Sequence, residues 1–425
     1  MSIFIIGNGI AATGVIEGLR KGESKEKIYV ISEEPYFVYS KPLISYYLVG
    51  KIEKSKMYYR PRDFYKKNDV IAILGEKVIE VDFSKQKITT NKNEYFYDKL
   101  VITSGGEPVI PKIDGVDGEG VFTFTSWTEI EEIKKYLREN KNIRKVGIIG
   151  GGLIGIKAAE SFYELGYEVY IFEMAEKILP NAVDKIGSDL IKKHLKDLKI
   201  KVFTSCRVSK ILRRNGKILG VYLEGEGEIS LNLIILATGV RPNLRFLDTS
   251  KLKINNGIIV DKYLRTNIEN VYAAGDVVEI YDKVLKITRP IPILPNAYEQ
   301  GYTVGLNLAN QKKEYKGAIS MNSIQVLELP IISAGLIEVN DKNFNVLKKL
   351  NKKEKRYKKV ILNNEGKLVG YVFVKEIDRA GIYTNFIKKE YKVNFLKDKL
   401  LLSNFGLIHL PKEFREAILS ENGKN

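Results

Sequence analysis

Short runs of β-branched and apolar residues break at glycine and give way to apolar residues at helical spacing, and this change of period occurs twice. The stretch SIFIIGNGIAATGVIEGLRKG leads into KIYVIS, and KVGIIGGGLIGIKAAESFYELG leads into YEVYIFE. Each predicts a strand, a glycine turn, a helix and a second strand, a βαβ unit. Between them, KVIEVDFSKQKITT and EYFYDKLVITS alternate apolar and polar residues about a turn, which predicts antiparallel strands leading to a buried one. The segment GGEPVIPKIDGVDGEG is a Gly/Pro-rich pause, and TEIEEIKKYLRE at 128–139 predicts a helix with a capping box built on Thr128 and Glu131. LNLIILATGVRPN reads as a buried strand meeting a glycine turn. From about Gly317 the pattern turns to short strands, including the hairpin KKVILNNEGKLVGYVFV with Asn363, Asn364 and Gly366 at its turn.

These elements predict an α/β chain of two Rossmann-like three-layer dinucleotide-binding domains and a small C-terminal α+β domain. The first domain is expected to be discontinuous, 1–112 with 241–316, around an inserted domain at 113–240, followed by 317–425. A length of 425 residues accommodates three cores and excludes a disulfide-stapled miniprotein. Apolar runs such as Leu231–Ala237 are too short to cross a membrane. The start MSIFIIGNG enters a strand directly, without export-signal features, so cytoplasmic residence is the expectation. One cysteine, Cys206, and two histidines, His194 and His409, argue against a structural zinc site and against thiol–disulfide chemistry; no metal is expected. Cys206 reads as a small buried hydrophobe on a strand.

The net charge of +17 is concentrated: Asp341–Val360 holds nine basic and two acidic residues. The run KKLNKKEKRYKK at 348–359 reads as a solvated helix or loop, or as a docking surface for an acidic protein or polyanion.

The glycine turns carry the chemistry. In Gly7-Asn8-Gly9-Ile10-Ala11-Ala12 the first glycine makes the tight turn, the second lets backbone approach a pyrophosphate, and the small third position lets helix pack on strand. The helix N-terminus then favours the negative charge. Glu33 or Glu34, ending the returning strand, is placed to accept ribose hydroxyls. The second turn, Gly150-Gly151-Gly152-Leu153-Ile154-Gly155, is followed by Glu173 at its own strand end, where a carboxylate favours NADH and would repel a 2′-phosphate. Two such sites in one chain point to hydride transfer between a nicotinamide and a flavin.

With SEEPYFVYSKPLISYYLVGK at 32–51, LATGVRPN at 236–243, VYAAGDV at 271–277 and LPNAYEQG at 294–301, the chain resembles the two-dinucleotide-binding-domain flavoprotein reductases. These include NADH:rubredoxin reductases and ferredoxin reductases, within the pyridine nucleotide-disulfide oxidoreductase superfamily. The resemblance covers about 1–310 in the family's order and is loose beyond. It implies FAD in the first site and NADH in the second. It also implies that Glu33 and Glu34 stand at the FAD adenosine ribose, that Lys41 and the adjoining Pro42 lie beside FAD, and that Val78 meets the adenine. Thr103, Ser104 and Gly105 stand where the family has Ala-Thr-Gly. Gly275 and Asp276 match the ribityl and pyrophosphate contact, Asn296 and Ala297 begin a helix aimed at the flavin's pyrimidine edge, and Gly239 lies in the second module's closing turn.

The departures count equally. Superfamily members with a redox cysteine carry it near the flavin, whereas residues 36–47 here read YFVYSKPLISYY. Ferredoxin-reductase relatives place a Lys and a Glu by the flavin and nicotinamide, and the matching positions are Tyr46 and Lys157. The acid–base residue is therefore open, with Lys41, Tyr46 and Lys157 as catalytic candidates, and Lys157 equally readable as an outward-facing helix residue. Without a thiol, electrons must leave the flavin for an external acceptor. A small acidic rubredoxin or iron–sulfur carrier is the first expectation. Oxygen, in an NADH oxidase, is the second, and an NADH-gated binding or regulatory flavoprotein the third. No nucleic-acid partner is expected, and the last domain is a possible homodimer interface.

Overall fold

The computed structural model describes residues 1–416; the final part of the 317–425 segment, 417–425, lies outside the described residues. Two five-stranded parallel sheets form the framework. In the first the order is Val271–Ala273, Lys99–Ile102, Ser2–Ile6, Lys27–Ser32, Val70–Leu74. In the second it is Lys201–Thr204, Glu168–Glu173, Lys145–Ile149, Leu233–Leu236, Val121–Thr123. In both, the strand that feeds the glycine turn is central, flanked by the strand returning from the helix and by a later buried strand, so its C-terminal end opens on a crevice between neighbours. The central strands are almost wholly buried, as FIIG- and GIIG-type runs covered on both faces should be.

Strand Val78–Asp82 pairs antiparallel with Lys87–Thr90, as its alternation predicts. The two module ends also pair with one another: Gly106–Pro108 lies antiparallel to Val240–Pro242, and Arg241 and Arg245 converge on Glu107 at 2.8 and 2.9 Å. The C-terminal sheet is antiparallel, in the order Met321–Val326, Leu329–Gly335, Leu368–Val374, Arg356–Leu362, Asn345–Asn351. No helix among the described residues is long and apolar enough to cross a membrane.

Three local expectations are corrected. The helix at 127–139 is capped by Ser126, whose hydroxyl accepts from the Glu129 amide while Glu129 reaches back to the Ser126 amide. Thr128 lies inside the first turn instead, because its hydroxyl and amide are used by Glu34 of the first module. Cys206 lies in the turn after Lys201–Thr204 and not on a strand, although it is buried and burial pushes its thiol pKa up. The lysine run is neither a helix nor a free loop but the β-hairpin Asn345–Asn351/Arg356–Leu362, with Lys358 and Lys359 buried. Lys359 donates to Asp184 at 2.9 Å and to the Ile337 carbonyl at 2.6 Å. Asp184 also accepts from the Tyr357 hydroxyl at 2.6 Å and caps helix Lys185–Asp197 through the Gly187 amide. Two charges removed from water survive only when paired and fully hydrogen-bonded, and here the pairing ties the second module to the last domain.

The first glycine helix, Ile10–Lys21, packs on Leu294–Leu308 through Gly14 and Gly18 against Gly301 and Gly305. Backbones touch: a Cβ on Gly301 would stand 2.0 Å from the Ala11 carbonyl oxygen. Replacing a helical glycine by alanine gains about 1 kcal/mol of propensity, whereas overpacking costs about 1–3 kcal/mol. With a backbone atom as the obstacle the steric term wins. Gly301→Ala is expected to lower unfolding stability by roughly 1–2 kcal/mol in a denaturant titration; an unchanged or raised midpoint would refute the close-packing account.

Candidate functional site

The two glycine turns open into one cavity of about 1540 Å³. Gly7 has φ +102°, and a Cβ there would lie 2.3 Å from the Thr103 carbonyl oxygen; Gly150 repeats this with φ +113° and the Ala237 carbonyl at 2.2 Å. The second glycines, Gly9 and Gly152, are the N-caps of their helices, and a Cβ at either would point into open space with nothing within 4 Å. Neither helix start receives a side-chain cap. Each thus presents uncapped first-turn N–H groups to an open cradle that a Cβ would fill, which suits a pyrophosphate. Gly155 serves packing, because its Cβ would collide with the Gly150 carbonyl at 1.9 Å.

Among the sequence candidates, Gly7, Gly9, Ile10, Ala11, Glu33, Glu34, Lys41, Pro42, Val78, Thr103, Ser104, Gly105, Gly275, Asp276 and Ala297 line the cavity. So do Gly150, Gly152, Leu153, Ile154, Lys157, Glu173 and Gly239. Ala12, Tyr46, Gly155 and Asn296 do not. Ala12 is fully buried beneath the turn. Asn296 is buried and its Nδ2 has no hydrogen-bond partner, a donor left over in a helix start whose neighbour Ala297 borders the cavity.

The two acids of the first module divide. Glu33 is exposed and pairs with Lys77 at 2.7 Å, so it is available at the cavity edge. Glu34 borders the cavity and also links the modules: it accepts from the Tyr39 hydroxyl at 2.7 Å and from the Thr128 amide and hydroxyl at 3.2 and 3.1 Å. Tyr39 in turn accepts from the Trp127 amide at 3.0 Å. Trp127, the chain's single tryptophan, is fully buried and stacks on Tyr36 with centroids 4.4 Å apart.

Glu173 accepts from the Gly151 amide at 2.6 Å and the Ala175 amide at 2.7 Å, so its carboxylate braces the second turn as well as facing the cavity. Thr103 braces the first, donating to the Ile6 and Gly7 carbonyls. Asp276 is half-buried; burial pushes its pKa up and the Lys41 ammonium pulls it back down. Lys157 borders the cavity and does not simply face out: it pairs with Glu160 one turn on, lies near the Gln325 carbonyl, and stands 5.2 Å over the exposed Tyr46 ring. Glu160 also accepts from the Leu327 amide, which joins this cluster to the last domain.

Sequence reading passed over Glu160, Gln300 and Glu76. Gln300, buried, accepts from the Gly275 amide at 2.7 Å and so shapes the turn that presents Asp276. Buried Glu76 accepts from Thr90 and Tyr95 and holds the loop before Val78. Glu160 alone left a trace, an i,i+3 charge pair with Lys157 on one helix face.

Residues 1–301 match the family model of pyridine nucleotide-disulphide oxidoreductases, and residues 321–401 match that of the rubredoxin NAD+ reductase C-terminal domain. An NADH oxidase of Methanocaldococcus jannaschii is 30% identical over 390 residues, covering 87% of this chain and 86% of the relative. A CoA-dependent NAD(P)H sulfur oxidoreductase of Pyrococcus abyssi is 30% identical over 344 residues, 79% of this chain and 76% of the relative. The crystal structure of NADH:rubredoxin oxidoreductase from Clostridium acetobutylicum superimposes with a TM-score of 0.74 at 26% identity, over 92% of this chain and 96% of that one. Uncapped cradles, strand-end acids and sequence agree, and the chain belongs to the pyridine nucleotide-disulphide oxidoreductase family, enzymes that bind FAD and NAD(P)H.

Proposed function

We propose that this oxidoreductase takes a hydride from NADH and delivers the electrons to an external acceptor, a small acidic carrier of the rubredoxin or iron–sulfur type. FAD, when bound, supplies the conversion of one hydride into the single electrons such a carrier accepts. The observation that carries the reading is the position of the chain's one thiol. Cys206 is packed beside the Glu173 carbonyl among Ile149, Phe172 and Val208, at the adenosine end of the second cradle. Residues 36–47, which border the first cradle, hold none. A route through a flavin-side cysteine is therefore absent, and the electrons must leave the protein.

The chain's own residues bind and orient. The N–H groups after Gly7 and Gly9 would hold the FAD pyrophosphate, Asp276 would accept a ribityl hydroxyl, and the helix beginning at Leu294 would turn its positive end toward the flavin. The second cradle and Glu173 would hold the nicotinamide nucleotide. Lys157, kept in place by Glu160, would hold a positive charge at the cavity wall. The charge of +17 favours encounter with an acidic partner, and the last domain's likeness to a rubredoxin reductase domain supports the same choice.

Two outcomes are expected. After stoichiometric reduction by NADH in a stopped-flow instrument, rubredoxin or ferredoxin should reoxidise the flavin faster than air, at a rate falling several-fold from low to high salt. Reoxidation by air alone would instead favour the oxidase reading. Removing the Lys41 charge should let burial drive the Asp276 carboxyl further up, so that in Lys41→Gln acidification releases FAD at a higher pH than in the parent. Coincident release profiles would separate Lys41 from Asp276.

A further inference from the structure

The adenosine 2′-position of a nucleotide on the second cradle is read at the end of strand Glu168–Glu173. An acid there ordinarily excludes a 2′-phosphate. In this chain the two Glu173 oxygens already accept from the Gly151 and Ala175 amides, which spread the carboxylate's charge into the backbone of the turn. The neighbouring strand Lys201–Thr204 runs parallel to it, with Thr204 opposite Glu173, and the turn that follows folds back over the same end. The Ser205 amide donates to the Ala175 carbonyl at 2.9 Å and the Cys206 amide to the Glu173 carbonyl at 3.2 Å. On the far side, the Glu224 amide donates to the Arg207 carbonyl at 3.0 Å. Arg207 is thus anchored through its backbone on both sides, within two residues of those bonds.

Its side chain is only loosely held. Arg207 lines the cavity together with Glu173 and Met174, its side chain is 61% exposed, and its ion pair with the exposed Glu224 spans 3.7 Å, a solvent-screened contact that a phosphate can displace. A planar guanidinium presents paired donors that match phosphate oxygens, and such charge-assisted bonds are about twice as strong as neutral ones.

We propose that Arg207 binds the 2′-phosphate of NADPH, so that the chain uses both nicotinamide nucleotides and the balance between Glu173 and Arg207 sets the preference. This rests on the reading of the second glycine turn as the nicotinamide-nucleotide cradle. Glu173 bonds ribose hydroxyls in the NADH complex, and Arg207 offsets its charge when a phosphate replaces one of them.

The test is calorimetric titration of the FAD-loaded protein with 5′-AMP and with 2′,5′-ADP, fragments that differ only in the 2′-phosphate. The parent should bind 2′,5′-ADP at least as tightly as 5′-AMP. In Arg207→Ala the ratio of the two affinities should fall about tenfold, and Arg207→Lys should restore part of it. A parent that binds 5′-AMP and rejects 2′,5′-ADP would overturn the proposal, as would an unchanged ratio in Arg207→Ala. If neither fragment binds or competes with NADH, the cradle reading falls and the proposal with it.

Discussion

The structure depends on leaving two helix starts uncapped. A helix begins with backbone N–H groups that need acceptors, and most helices supply one from a Ser, Thr, Asp or Asn side chain, as Ser126 and Asp184 do elsewhere in this chain. Ile10–Lys21 and Leu153–Glu164 begin at Gly9 and Gly152, which have no side chain to offer. The unmet donors and the positive end of each helix are aimed into one cavity. Everything around the turns serves to hold that arrangement: Thr103 and Glu173 brace them, and the close strand contacts at Gly7 and Gly150 leave no room for a Cβ.

Two cradles are useful only if they keep a fixed relation to each other. Directional polar contacts supplement the hydrophobic core that joins Ile44 and Leu48 of the first module, Ile130 and Ile156 of the second and Leu329 and Val372 of the last domain. Glu34, Tyr39 and Trp127 join the first module to the helix that opens the second. Asp184, Tyr357 and Lys359 join the second module to the last domain, and Glu160 with Leu327 does so again beside Lys157. A hydrophobic seam alone would allow sliding. Hydrogen-bonded charges with directional partners fix register, at a desolvation cost that breaking one partner of the Lys359 pair would expose, about 3–5 kcal/mol.

What the sequence made legible was local. A glycine turn, the strand before it and the helix after it are consecutive residues, so both βαβ units and the hairpin around Gly366 could be read directly. The partners that redirect a side chain lie far along the chain and leave no spacing signal. Glu34 borders the cavity as its position in the sequence suggests, but its bonds to Tyr39 and Thr128 have no spacing signal, and the helix cap lies at Ser126 and not at Thr128. Lys358 and Lys359 looked like two more charges in a solvated run, yet adjacent positions on a strand face opposite ways and both are buried, one toward Asp184 and one toward the Leu402 carbonyl. Cys206, within VFTSCRVSKI, reads as a strand residue, but Ser205 adopts a left-handed φ of +55° and ends the strand before it.

The central claim is that one chain holds both dinucleotides in facing cradles, and anaerobic titration of the purified protein tests it most directly. The account predicts a yellow protein with one FAD per chain, whose flavin absorbance is bleached by a single equivalent of NADH with no other component present. A colourless protein that takes up no flavin on reconstitution would contradict it, and so would a yellow one that NADH leaves oxidised.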